Sequence, residues 1–217
     1  MNMATALAIV SLFVLPGCAQ HPRAFKVIPA SPSSENALLS KLRHLYPDRF
    51  TMSHRVILTV RGKSYDFNGY LNRDGDSISA VGFNDLGGRL FHIASSPHKV
   101  EVLLKPDRMP ANVLRSHVIP ELNAIFAAIS TASVAQGRSE NIVLMHGPRK
   151  IEYVFNPALE RCHTIIISED GERISLIELR DYRIFAGWNR DIPQTIRVFN
   201  RKWNYEMILR LLQIKSS

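Results

Sequence analysis

Cysteine is nearly absent: among 217 residues only Cys18 and Cys162 carry thiols. A disulfide framework is excluded unless those two pair, and no Cys-x-x-Cys spacing exists for a redox or zinc site. The common catalytic signatures are missing too. There is no Gly-x-Ser-x-Gly elbow and no His-Glu-x-x-His pair, and the Gly62-Lys63-Ser64 end of an apparent phosphate loop has Ile57 where such a loop needs its first glycine. Eight histidines supply two i, i+4 pairs with carboxylates, His44 with Asp48 and His117 with Glu121, but two ligands do not make a metal site. Asp74 and Asp76 flank Gly75 without the spaced oxygens and terminal glutamate of a calcium loop. No catalytic residue, metal site or cofactor is therefore expected. A membrane-spanning helix is also lacking, because the apolar run from Ala4 to Leu15 is too short for a hydrocarbon core of about 30 Å.

That run has the length of a signal-peptide core, and no Lys, Arg, Asp or Glu precedes Cys18. It ends in Leu15-Pro16-Gly17-Cys18, which resembles the lipobox of bacterial lipoprotein leaders, although Pro16 and the uncharged Met1-Asn2-Met3 depart from the usual pattern. The resemblance implies a leader over 1–17, cleavage before Cys18, and acylation of that thiol and of the new amino terminus. At about 0.8 kcal/mol per buried methylene, several long chains hold a protein on a membrane almost permanently. Ala19 stands where an aspartate would signal inner-membrane retention, so the expected location is the periplasmic face of the outer membrane. Residues 18–34, with Pro22, Pro29 and Pro32, read as an extended tether, leaving 35–217 as one domain.

The composition, 46% hydrophobic and 21% charged, is that of an ordinary globular chain, with a formal net charge of +8. An exported basic protein rarely meets nucleic acid, whereas anionic lipid head groups lie within reach of a tethered domain. With Cys18 acylated, Cys162 is left as a buried free thiol.

Periodicity supplies the architecture. Ser34 can cap a helix with Leu38, Leu42 and Leu45 on one side and Pro47 at its end. From Ser53 to Lys105 the period is two, as in Val56, Leu58, Val60 and in Tyr65, Phe67, Gly69, Leu71, with hairpin turns at Arg61-Gly62-Lys63, Asn72 to Asp76 and Asp85 to Gly88. Leu122, Ile125, Phe126 and Ile129 form a helical stripe, which Pro120 is expected to divide into two helices, and strands then resume from near Ile142 to Glu206. The prediction is a mainly β fold, a curved antiparallel half-barrel of about ten or eleven strands covered by two or three helices. Such a curled sheet can enclose an apolar cavity. Its candidate lining is Val56, Leu58, Tyr65, Phe67, Val100, Val102, Leu122, Phe126, Leu176 and Leu209.

Asn68-Gly69-Tyr70-Leu71 followed by Val81-Gly82-Phe83-Asn84-Asp85-Leu86-Gly87-Gly88-Arg89-Leu90-Phe91-His92-Ile93 is similar to the LolA/LolB superfamily of lipoprotein carriers and receptors. The closer match is to an uncharacterised bacterial lipoprotein family of that superfamily, often encoded beside aryl-polyene biosynthesis genes. The helical insert from Met109 to Ile129 and the closing Ile196 to Asn200 and Tyr205 to Leu209 extend the likeness. The resemblance implies an unclosed half-barrel with a helical lid that binds an acyl or polyene lipid, dealings with lipoprotein-sorting machinery, and a membrane-insertion role for a loop containing Leu86. The expected function is transport or membrane insertion of that lipid without catalysis. The alternative is a non-catalytic assembly or scaffold lipoprotein of the envelope, and an envelope hydrolase built on scattered His, Asp and Ser is the least supported reading. Cys18→Ser is predicted to leave a soluble or unprocessed protein; membrane attachment that persists after clean cleavage, read by fractionation, would contradict the anchor.

Overall fold

The computed structural model describes residues 40, 42, 45–96, 98–104, 111–126, 133–138, 141–156, 158–159, 161–185 and 191–216. The expected leader, Cys18, the tether and most of the first helix lie outside them. Of that helix, Leu42 is buried and Leu45 packs against the core.

Twelve strands follow, rather than ten or eleven: β1 (Arg49–Val60), β2 (Lys63–Asp74), β3 (Ser77–Phe83), β4 (Arg89–Ser95), β5 (Val100–Leu104), β6 (Ser133–Arg138), β7 (Asn141–His146), β8 (Arg149–Asn156), β9 (Arg161–Glu169), β10 (Glu172–Ile184), β11 (Asp191–Asn200) and β12 (Tyr205–Ser216). They form one sheet in the order β5-β4-β3-β2-β1-β12-β11-β10-β9-β8-β7-β6. Every pairing joins strands consecutive in sequence except β1 with β12, which runs antiparallel from Phe50↔Ser216 to Val60↔Tyr205. That one long-range ladder joins the two halves.

The alternation of side chains decides which face is inside. On β1, Phe50, Met52, His54 and Val56 are buried while Arg49 and Thr51 are exposed, and β12 contributes Tyr205, Met207 and Leu209 to the same interior. Register shifts recur along the sheet. Among the described residues six strand pairings carry one: β1/β12, β3/β4, β4/β5, β6/β7, β8/β9 and β9/β10. Each such bulge adds local twist and bends its strand. At β9/β10 the extra residue is Ile174, so Ile174 and Ser175 are both buried although adjacent.

Since β5 and β6 are the two edges of the sheet and also the strands on either side of the helical insert, the insert must pass from edge to edge. It does so as a single segment rather than the two helices expected on either side of Pro120: α1 (Ala111–Val113), a π-helical turn (Leu114–Val118) and α2 (Ile119–Phe126). Pro120 does not break it. A proline nitrogen cannot donate to the carbonyl four residues earlier, here that of Ser116, and the wide turn just before it takes up the mismatch. The abandoned Ser116 carbonyl is satisfied from the sheet, by Arg149 Nη2 at 2.8 Å.

Gly82 explains part of the glycine pattern. It sits directly opposite Phe91, and a Cβ there would lie 2.2 Å from the Phe91 ring, which stands edge-on to Phe67 with centroids 5.6 Å apart. The ring thus covers the gap left by the missing side chain. Gly82→Ala is expected to destabilise the fold by about 1–2 kcal/mol through overpacking, and the loss should shrink in a Phe91→Ala background, as read from urea unfolding of all four members of the cycle.

Candidate functional site

The underside of the helical segment meets the concave face of the sheet. Leu122, Ile125 and Phe126 are buried there, and Phe126, 0% exposed, lies against the rings of Tyr46 at 5.2 Å, His54 at 6.0 Å and Phe50 at 6.5 Å between centroids. Of the other lining candidates, Val56, Phe67 and Leu209 are buried in the same cluster, and Leu58 and Val102 pack against it half-buried. Tyr65 and Val100, 40% and 39% exposed, stand at the open rim. Leu176 is not on this face. The Ile174 bulge shifts the alternation by one, so Ser175, Ile177 and Leu179 turn inward and Leu176 turns to the convex side opposite Phe199.

The expected hollow is therefore filled, in the described residues, by the aromatic cluster and by branched aliphatic side chains from both halves of the sheet. A depression of about 210 Å³ lies elsewhere, lined by Asn72, Asp74, Ser77, Ser79, Ser96 and Lys99 among others, toward the end of the β2–β5 half where the β2–β3 turn lies.

A polar group lies inside this apolar contact. Glu121 of α2 is 1% exposed, and its carboxylate accepts hydrogen bonds from Ser175 Oγ at 2.5 Å, Asn200 Nδ2 at 2.8 Å and the Tyr205 hydroxyl. Ser175 faces Asn200 across β10/β11, and Asn200 faces Tyr205 across β11/β12, so three adjacent strands offer one donor each. Asn200 Nδ2 also donates to Ser175 Oγ at 3.0 Å. Burial raises the Glu121 pKa, opposed by those three donors, and burial beside Glu121 raises that of Tyr205. Ser175, Asn200 and Tyr205 were not among the sequence candidates. The available signal was Glu121 itself, a carboxylate sharing a helical side with Leu122 and Ile125, where it must find buried partners.

Further polar contacts pin the segment from both halves of the sheet. Asn123 donates to Ser95 Oγ of β4 at 3.0 Å and the Tyr153 hydroxyl of β8 donates to the Ala124 carbonyl at 3.0 Å. Arg149, which holds Ser116, also pairs with Glu169 at 3.1 Å, and Glu169 in turn binds Lys202 at 2.8 Å. His117 does not join Glu121 in a shared ligand set; its ring stacks edge-on against Trp203 at 5.6 Å. Burial, with Lys202 and Arg149 nearby, lowers its pKa to about 4, and burial alone does the same for His54. Burial pushes the Cys162 thiol up to about 12, far from the thiolate a nucleophile requires.

At the β3–β4 turn the loop from Asn84 to Gly88 is tightly tied. Asn84 receives Leu86 N at 3.1 Å and Gly88 N at 2.7 Å on its side-chain oxygen and Gly87 N at 3.0 Å on its carbonyl. Gly87 has φ of +80°, a conformation a side chain would strain. Leu86 is left 96% exposed at the tip.

The sequence matches the family described as "Protein of unknown function (DUF3261)" over residues 51–212. No curated protein matches it. Solved structures share its fold. A LolA superfamily protein from Nitrosomonas europaea superposes with a TM-score of 0.55 at 12% identity, covering 84% of this chain and 93% of that one. A putative outer membrane lipoprotein-sorting protein domain from Vibrio parahaemolyticus gives 0.50 at 10% identity, covering 85% and 93%. A DUF1329 family protein from Desulfovibrio piger gives 0.53 at 7% identity, covering 85% and 92%. At such identities the likeness is one of fold: these proteins share the unclosed antiparallel sheet with its helical cover.

Glu121→Ala would leave three buried donors without their acceptor, and a loss of about 2–4 kcal/mol is expected in urea unfolding. A loss below about 0.5 kcal/mol would mean that the carboxylate does not hold the segment to the sheet.

Proposed function

Starting from a chain that belongs to the DUF3261 family and has the LolA-superfamily fold, we propose that this protein is a non-catalytic lipoprotein of the bacterial envelope. It is held through acylated Cys18 on the periplasmic face of the outer membrane, takes an acyl or polyene lipid under its helical segment, and assists that lipid's transport or insertion. The observation that carries this reading is Leu86. A leucine at 96% exposure on a loop fixed by four hydrogen bonds is not a chance surface residue of a mobile turn. The loop holds its side chain outward at a constant angle, as an element that enters hydrocarbon must. Burying a leucine side chain contributes about 2 kcal/mol, enough to deepen a contact and too little to fix it permanently.

Among the described residues the face beneath the helical segment is occupied by the Phe126 cluster, so a lipid would enter there as the segment lifts. The interface is built for a discrete change: the aromatic cluster around Phe126 offers apolar surface that an acyl chain can replace, while the Glu121 contacts define the closed position. Dealings with lipoprotein-sorting machinery fit this reading, one of the similar structures being a putative lipoprotein-sorting domain. The same filled interior favours a second reading, an assembly or scaffold lipoprotein that uses the fold without a ligand.

Protein extracted from membranes is expected to carry lipid by mass spectrometry and to take up a fluorescent fatty acid. Leu86→Glu should leave uptake and unfolding within about 0.5 kcal/mol of the parent while slowing delivery of the fatty acid to vesicles roughly tenfold. No bound lipid and no uptake, together with a stoichiometric protein partner in a pull-down, would replace the carrier reading with the scaffold.

A further inference from the structure

We propose that the end of the sheet bearing the β1–β2, β3–β4 and β11–β12 turns is a docking surface for an anionic bilayer, in which Arg61, Lys63, Arg89 and Arg201 engage lipid phosphates on the same end of the sheet as the Leu86 tip. The inference rests on the membrane reading of Leu86 and adds the lipid class it meets. In an antiparallel sheet whose neighbours follow in sequence, alternate turns share an end. Arg61-Gly62, Asn84 to Gly88 and Arg201 to Asn204 are three such turns; the first and third touch, with Arg61 N donating to the Asn204 carbonyl at 3.4 Å, and the second starts about five residues short of the first, since Phe83 pairs with Asn68 and Asn68 with Arg55.

The four cations are exposed and form no ion pair among the described residues. Elsewhere the protein commonly neutralises its cations locally, as in Arg49 with Asp74, Lys99 with Glu101 and Arg161 with Asp191. Among the described residues Arg115, Arg173, Arg183, Arg210 and Lys215 also form no ion pair, but Arg115 lies on the helical segment and the other four along β10 and β12 rather than in these three turns. The anions in or bound to these three turns are already used. Asp85, beside Leu86, is bound by Arg55 at 2.7 Å, and Glu169, which holds Lys202 of the β11–β12 turn, is shared with Arg149. Asp170 and Glu172 in the β9–β10 turn are exposed, so the positive excess is confined to the β1–β2, β3–β4 and β11–β12 side of that end.

Arg61 also has φ of +48°, where glycine or asparagine is ordinarily found. Local turn geometry therefore does not favour an arginine at this position, and contact with an external anion gives it a use. Near an anionic membrane each such side chain strengthens attachment roughly fivefold at physiological salt, and the gain fades as the Debye length shortens.

The test uses the acylated full-length protein with Leu86→Cys carrying an environment-sensitive fluorophore; Cys162 is buried, and with Cys18 acylated the label has one site. It is placed in vesicles of phosphatidylcholine alone or with about 30 mol% phosphatidylglycerol, and amide exchange of the Arg61 and Arg201 turns is followed in parallel. The expected result is probe burial and turn protection that require phosphatidylglycerol and fall at least tenfold with Arg61→Glu, Lys63→Glu and Arg201→Glu combined, or in about 0.5 M salt. If the triple variant misfolds by circular dichroism, Lys63→Gln with Arg201→Gln should give a smaller loss of the same sign. Equal probe burial on both vesicles would overturn the charged surface and leave the Leu86 reading standing. Turn protection that needs phosphatidylglycerol without probe burial would support the charged surface and remove Leu86 from it. Neither signal on either vesicle would overturn both.

Discussion

The ladder between β1 and β12 is the constraint on which the rest of the molecule depends. Ten of the eleven neighbour relations in the sheet join strands consecutive in sequence, and they alone would produce two separate meanders, β1–β5 and β6–β12. Pairing the first strand with the last makes one sheet of them, placing Val56 beside Leu209 and Leu58 beside Met207. Joined in this way, the halves put their free edges at β5 and β6, and the only covalent path between those edges is the stretch that contains the helical segment. The cover over the concave face thus follows from strand order. Its amphipathic sequence follows in turn, since a segment obliged to cross that face is stable only if one side of it is apolar.

What crosses is held by two kinds of force with different tolerances. The contacts of Phe126 with Tyr46, Phe50 and His54 are non-directional, and another apolar body could replace them at little net change. The Glu121 contacts are directional: three donors from three strands converge on one carboxylate, and a small displacement of α2 breaks all of them together. The apolar part supplies adhesion and the polar part supplies position. An interface of this composition has one well-defined seated state and no comparable polar registration for any other.

Much of the fold is legible in the sequence, and the places where it is not have identifiable causes. The period-two runs of β1 and β2 mark the inward residues correctly because both strands are regular through Val56 and Phe67. On β10 the same alternation counted from Ile174 puts Leu176 inside, and it fails because a bulge is invisible to periodicity: nothing in Arg173-Ile174-Ser175 distinguishes an extra residue from an ordinary one. Pro120 misleads for a related reason, since the rule that proline ends a helix assumes that the freed carbonyl goes unsatisfied, and Arg149, 33 residues downstream of Ser116, satisfies it. The polar partners of Glu121 come from strands 54 to 84 residues away, a separation at which local pattern carries no information. The glycines of the β3–β4 region are legible as a pattern, and coordinates supply their cause in the ring over Gly82 and the positive φ of Gly87.

The direction of β1 has a mechanical corollary. The described chain enters β1 at Arg49, while Arg55, six positions along, holds Asp85 of the Leu86 loop, so the two points are separated by about 20 Å of strand. On the proposed reading the permanent attachment precedes the starting end of β1, and the probing leucine lies level with the second half of that strand. The 17 residues of 18–34 have a contour of at most about 60 Å, longer than that separation. On that reading the body can capsize on its leash, presenting either pole to the bilayer without letting go.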